Sequence, residues 1–481
     1  MTWSASRSRP YSLVTFHAVS ILAGGLALAV LAGCGSGSAA PGPSPAAGTT
    51  VQVNMGDAPA DWLLAFSMNV SSMSLKDSAG TSVGVTSAAP MPVEMIHRLG
   101  TMEPVAIASV PQGTYGSAHL TVTSCNFTYI DPVTKKPVEK TINGPIDVNI
   151  PFSPGVSVGA TPVALNFDLD LEHSLTNPSG AFQLTPQFHL MAGALNSANG
   201  SGDRVDARFG GVYQMMGIVS STSTSSFSVT PLQAANSFTF RTTTETRFQG
   251  KISKMSQVAT GMGVLVTATI QSDGTLLATR VRAMMGAVGA MGGGIVTSVI
   301  GQPATELTIV MQNGAGASVN TDYLSKTITV ALTDKTTYEM DTDRVSLDGL
   351  PFAPSFDASH IFAGQSVLPF SDDALVPNPS CDPACGTITA STLRLREQGF
   401  RGTAPVAINP GTVTSFILTI PADCAFTALT GATEITVYQQ SGTNVEDDAA
   451  IAAGSTLRVH GLLLNTGGEW ALVASTIASA S

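Results

Sequence analysis

Between residues 210 and 481 a five-part pattern occurs three times in one order, and a chain that repeats itself this way builds the same small unit three times over. A Gly-x-Val start reads Gly217-Ile-Val219, Gly294-Ile-Val296 and Gly411-Thr-Val413. An apolar-Thr-apolar segment follows as Phe238-Thr-Phe240, Ile328-Thr-Val330 and Ile435-Thr-Val437, and eight positions later stands another apolar residue, Phe248, Tyr338 or Val445. A glycine opens a further strand at Gly261, Gly364 and Gly454, and an apolar-x-Ala-x-x-apolar segment closes each unit around Ala278, Ala390 and Ala474. The glycine-to-alanine interval is 17, 26 and 20 residues, and the middle excess falls in the loop carrying Cys381 and Cys385. That loop therefore reads as an insertion between two strands.

Five or six short strands in a unit of this size resolve their sheet edges by curling, so each unit is expected to be a small closed or nearly closed barrel. The recurring alanine suits an inward position where only a small side chain fits. The three units are expected over 210–285, 286–398 and 399–481. They resemble an uncharacterised bacterial family of small barrel domains found in exported proteins, a family with no assigned chemistry.

Residues 50–195 carry a different pattern. Period-two runs occur at Val51-Gln-Val-Asn-Met55, Phe66-Ser-Met-Asn-Val70, His119-Leu-Thr-Val-Thr123, Ile146-Asp-Val-Asn-Ile150 and Leu165-Asn-Phe-Asp-Leu-Asp-Leu-Glu172, separated by proline, glycine and asparagine clusters. Many short strands at this spacing predict an antiparallel β-sandwich. The expected fold class is thus all-β, an N-terminal antiparallel β-sandwich followed by three small β-barrel repeats, with a linker at 196–209. Four features in order carry a resemblance. They are the opening strand ending in Asp57-Ala-Pro59, then Val110-Pro-Gln-Gly-Thr-Tyr115, then Leu165 to Asp170 with Ser174 close behind, and Phe182-Gln-Leu-Thr-Pro186. They resemble an uncharacterised family of bacterial exported domains with a transthyretin-like, carbohydrate-binding-type sandwich. The resemblance implies a fold and supplies no catalytic residue.

Period two places Asn166, Asp168, Asp170 and Glu172 on one face of a strand whose other face is apolar. The plainest reading is the solvated face of an amphipathic strand. Alternate strand positions lie roughly 6.6 Å apart, too far for neighbouring carboxylates to chelate one ion unaided. A calcium site on Asp168 and Asp170 would need further oxygens, with Asp57 as the candidate. Paired catalytic carboxylates are the third reading, and His173 beside them reads as a turn residue rather than a base.

The first residues have the grammar of a secretory signal. Arg7 and Arg9 form a positive start, Ala18 to Val30 is an apolar stretch of 13 residues, and Leu31-Ala32-Gly33-Cys34 closes it. The pattern resembles bacterial lipoprotein signals, which implies cleavage after residue 33 and acylation of Cys34. An ordinary signal peptide or an anchor helix is the alternative. Residues 34–49 form a Gly/Ser/Pro/Ala tether with a reach of about 20 Å. Gly35 follows the cysteine, and by the same resemblance the absence of Asp there points to the outer membrane of a two-membrane cell envelope.

Of five cysteines, Cys381 and Cys385 sit in a turn-rich loop and are read as a small-loop disulfide, while Cys125 and Cys424 fall in strand patterns and are read as buried free thiols. The formal charge is −11, charged residues are only 11%, and no basic stripe is present, so nucleic acid is excluded from the expected partners. The Gly-rich stretch Met284 to Gly294 lacks the Lys and Thr of a phosphate loop and reads as linker or strand extension. Scattered methionines are read as core rather than copper ligands, and Asp341-Thr-Asp343 misses calcium-loop spacing. No metalloprotease, nucleophile-elbow or Ser-x-x-Lys motif occurs, so no enzyme and no cofactor is expected, calcium apart. The expectation is a non-catalytic envelope lipoprotein, held to the membrane by its lipid, that binds a glycan or envelope polymer. A protein scaffold or adhesin is the alternative, and a hydrolase with a discontinuous site a remote one. Trp62 and Trp470 are the aromatic residues available to stack on a sugar, with core packing as their other reading.

Overall fold

A computed structural model describes residues 48–480 apart from 59, 87–89, 99–101, 178–180, 196–207, 209, 317, 381–384 and 447–449. The expected signal, its Cys34 and nearly all of the tether lie outside the described residues. Among the described residues the fold is all-β, with two short α-helices, Leu171–Ser174 and Ala425–Thr430.

The first domain is two sheets face to face. One runs in the order Phe188–Ala194, Val163–Asp170, Gly48–Ala58, Glu103–Pro111. Its neighbour contains Leu63–Asp77, Gly113–Ile130 and Pro137–Val158. Alternation explains the layering: Val51, Val53, Met55, Leu165, Phe167 and Leu169 point inward and meet Phe66, Met68, Leu120 and Val122 of the second sheet. Pairing is antiparallel save that Gly48–Ala58 and Val163–Asp170 run parallel.

The polar face of Val163–Asp170 departs from expectation. Asn166 is only 4% exposed, joined through Asn54 to Gln52 in a ladder of amide hydrogen bonds of 2.7 and 2.8 Å. Asn166 also donates to the Arg208 carbonyl. This sheet is covered on both faces, so its polar positions carry amides that satisfy one another rather than solvent-facing charge. The run also stops being a strand at Asp170, because Leu171–Ser174 turns helical and carries Glu172 off the face.

The three repeats share one pairing scheme. In each, the closing segment runs parallel to the apolar-Thr-apolar strand, with Phe240 opposite Leu276, Val330 opposite Ile388 and Val437 opposite Leu472. The apolar residue eight positions on pairs with the far half of the same segment: Phe248 with Val281, Tyr338 with Leu393, Val445 with Ile477. Each barrel is therefore closed by one strand clamped at two points. The connection between the points is locked identically. Thr246, Thr336 and Thr443 each donate a 2.8 Å hydrogen bond to the carbonyl of the recurring alanine, and each hydroxyl accepts from the backbone three residues earlier. The third unit is a closed five-stranded barrel.

The repeat start needs one correction. Gly217 and Gly294 sit where a Cβ would strike the backbone of the adjacent strand, and the glycine in the matching place of the third unit is Gly402 in Glu397–Thr403. Its neighbour Ala404 occupies the place of Val219 and Val296: all three accept a 2.8 Å hydrogen bond from Gly454, Gly261 and Gly364 respectively. Those last glycines adopt φ of 80°, 88° and 95°, which side chains disfavour. Gly411-Thr-Val413 instead lies in a turn, with Val413 exposed.

Cores run across the unit boundaries. Met216, Leu265, Met284 and Met285 of the first barrel pack on Met291, Leu368 and Phe370 of the second. The core of the second barrel also takes in Leu462, Leu464, Ala471 and Val473 of the third. Leu64, Ala65 and Ile130 of the sandwich join Val310 and Ala425. Met216, Met284, Met285 and Met291 are thus hydrophobic filler between units.

Candidate binding cleft

The cleft forms where the sandwich meets the second and third barrels. The turn Ala60-Asp61-Trp62 leads into Leu63–Asp77, and its Asp61 carbonyl accepts the Ala425 amide at 2.7 Å, pinning the turn to the start of the helix Ala425–Thr430. Opposite lies Glu397–Thr403, whose alternation aims Arg401 back at the turn. The Arg401 guanidinium is 2.9 Å from Glu172 and 4.0 Å from Asp61.

Two lobes share Ala60, Asp61 and Arg401. The wide lobe, about 370 Å³, is edged by Trp62, Glu172, Asp423 and Thr456. The narrow lobe, about 100 Å³, runs inward past Leu63, Leu64, Ile295, Phe400, Phe426 and Leu429 to His97, Arg396 and Glu397. Trp62 is half-buried, stacked on Phe182 at 6.0 Å and set edge-on to Phe127 and Tyr129, so its ring is held rigidly at the rim.

Burial is the main force on Asp61 and raises its pKa from 3.8 to about 7, against the pull of Arg401 and with Glu172 and Asp423 adding to the rise. Glu397 is 6% exposed; its Oε2 accepts from Ser475 Oγ at 2.7 Å and faces His460 Nδ1 at 3.2 Å, while its Oε1 has no hydrogen-bond partner. His97 lies between Glu94 at 2.5 Å and Glu103 at 3.1 Å. Burial pushes its pKa down, but the two carboxylates outweigh that and the net direction is up. Cys424 lines the narrow lobe as an inert thiol, its pKa pushed by burial to about 12.

Of the residues singled out in the sequence, Trp62 and Glu172 edge the wide lobe and the others fall elsewhere. Asp168 is half-buried with its pKa raised by burial, against Arg458 and His189. Asp170 caps the helix Leu171–Ser174, accepting from the His173 amide and meeting its ring at 2.8 Å. Asp57 stands at the register position opposite Leu169. Among the described residues no group of three or more His, Cys, Asp or Glu side chains is placed to hold a metal ion. Cys385 is disulfide-bonded, Cys381 lies outside the described residues, and Cys125 and Cys424 are free and buried. Cys424 precedes a helix rather than lying in a strand. Asp341 and Asp343, discounted for calcium, anchor an ion network: Arg394 is 2.6 Å from Asp341 with both buried, Gln214 bonds both aspartates, and Arg280 pairs with Asp343.

Glu172 and Trp62 were visible as candidates in the sequence; Asp61, Arg401 and Glu397 were not. Asp61 lies more than 300 residues before Glu397 and Arg401, which share one strand, so only the assembled fold brings the turn and that strand together.

Residues 216–282, most of the first barrel, match a family described as a domain of unknown function (DUF5666). No curated protein matches the chain. A solved structure from Streptococcus pneumoniae TIGR4, described as a multidomain protein with nucleic acid binding domains, is similar at 12% identity over 54% of this chain and 71% of its own, with a TM-score of 0.10. At that score the likeness carries no argument about how this chain is built or what it binds. The exclusion of nucleic acid from the expected partners is withdrawn on this finding.

Proposed function

We propose that this protein is a lipid-anchored, non-catalytic lipoprotein of the cell envelope, preferably the outer membrane, and that it binds a glycan or envelope polymer in the cleft between its sandwich and its third barrel. Support for the address comes from Leu31-Ala32-Gly33-Cys34 and the uncharged tether that follows. The resemblance of residues 50–195 to transthyretin-like, carbohydrate-binding-type sandwiches supports the ligand class as a fold-level analogy.

One observation carries the reading. A rigid indole, Trp62, edges an open lobe whose other walls present Asp61, Glu172, Asp423 and Arg401. Sugars offer an apolar ring face and a belt of hydroxyls that both donate and accept, and a flat aromatic beside carboxylates and a guanidinium complements both. The test is pull-down of the purified protein by insoluble envelope polysaccharides and binding to a glycan array. Retention that drops at least tenfold in Trp62→Ala and in Arg401→Ala, with the circular dichroism spectrum of the folded parent kept in both, is the expected outcome. Equal retention by the parent and both variants would remove the cleft from the reading, and no retention by the parent would remove the glycan.

A further inference from the structure

We infer that the cleft selects an N-acetylated amino sugar and that its narrow lobe receives the acetamido group; this rests on the glycan reading above. The lobe's size sets the first limit. About 100 Å³ is less than the roughly 150 Å³ that accommodates a benzene ring, so it admits a few heavy atoms and no hexose. Because the lobes share Ala60, Asp61 and Arg401, a ring lying against Trp62 presents a substituent directly to the narrow opening.

The lining then sets the chemistry. Leu63, Leu64, Phe400, Phe426 and Leu429 make walls suited to a methyl group. Most polar groups in the lobe are already engaged. Gln312 donates to the Leu64 carbonyl, Gln398 bonds Gly364 and Ser366, Arg396 bonds Asn313, and His97 bonds Glu94 and Glu103. Glu397 Oε1 alone among these groups is a buried acceptor with nothing to accept. Such an oxygen favours a ligand bringing one N–H. Arg396 and Arg401 line the same lobe and oppose an ammonium ion, so the fitting donor is a neutral amide with a methyl beyond it. An acetamido group has both.

Calorimetry on the full-length protein in detergent, with β-1,4-linked tetramers of N-acetylglucosamine, glucosamine and glucose, tests this. The N-acetylated tetramer is expected to bind roughly tenfold or more tighter than the glucose tetramer, since a filled methyl pocket is worth about that factor. Leu429→Trp, which fills the lobe, should erase that preference, so that the N-acetylated and glucose tetramers bind alike. Glu397→Gln, which removes the charge and keeps the shape, should shrink the preference several-fold and guards against a Leu429→Trp variant that does not fold. Equal binding of the N-acetylated and glucose tetramers overturns the inference and leaves the glycan reading standing. Tightest binding of the glucosamine tetramer overturns it in favour of an ammonium ligand. Binding of none, together with a blank array, removes both.

Discussion

At the scale of single residues the cleft is a place where charge is kept under tension. Asp61 sits in a turn that the fold needs, beside apolar walls that disfavour its ionised form. Its folded pKa of about 7 lies above the 3.8 of the unfolded chain, so the folded state holds this proton more tightly. Its stabilising contribution is full below pH 3.8 and is lost as pH rises to about 7. Asp61→Asn imitates the protonated form at every pH. Thermal melts should therefore show the variant and parent nearly equal at pH 4, and the variant more stable at pH 8 by up to about 4 kcal/mol. A gap of the same size at both pH values would mean that titration of Asp61 is not its source. His97 has the same sign for another reason: Glu94 and Glu103 raise its pKa despite burial, so its share of stability is present at acid pH and declines through the neutral range.

At the scale of elements each barrel is defined by one threonine hydroxyl. Thr246, Thr336 and Thr443 hold the kink that lets one strand clamp the closing strand twice. Thr336→Val keeps the shape and leaves the Ala390 carbonyl without that donor, which costs about 1–3 kcal/mol; Thr336→Ser should recover most of it. Urea unfolding should register this as a lower midpoint with an unchanged slope. How much was legible follows from the same segment. The eight-residue step to Phe248, Tyr338 and Val445 was plain in the sequence because pairing to a common partner forces a fixed spacing. The threonine two residues before each was equally regular, yet a hydroxyl in a Thr-rich chain has no contrast with its surroundings. Gly411-Thr-Val413 mimics the repeat start because Gly-x-Val is common, and what distinguishes Gly402 is a backbone approach that no sequence displays. Period two correctly separated the inner from the outer face of Val163–Asp170. It could not tell that a second layer covers the outer face, since alternation records contrast between faces and not what lies against either. The cleft was illegible for a related reason: its parts come from three units, and a repeat pattern describes each unit alone.

At the scale of the whole molecule, the units are joined by apolar and ionic contacts together. Arg394, 1% exposed, faces Asp341 in a network that also draws in Gln214 and Arg280 from the first barrel. Burial pushes the Asp341 pKa up, but Arg394 and the Gln214 hydrogen bond outweigh it and hold the carboxylate ionised. Arg394→Met strands that charge and should cost about 3–5 kcal/mol, whereas adding Asp341→Leu should restore much of the loss. Calorimetric melting of both variants measures the coupling, and a double variant as unstable as the single one would contradict it. The twice-clamped closing strand has a consequence for the order in which the molecule is made. In all three barrels the segment that seals the wall is the last of its unit, and in the third barrel Glu469–Ser479 supplies a border to both Glu434–Val445 and Thr456–Thr466. A chain emerging amino-end first thus exposes two bare strand edges per unit until its final ten or so residues arrive, and those edges are the ones that recruit foreign strands. Synthesis of such a chain is a race between completion and misassembly, run three times in succession.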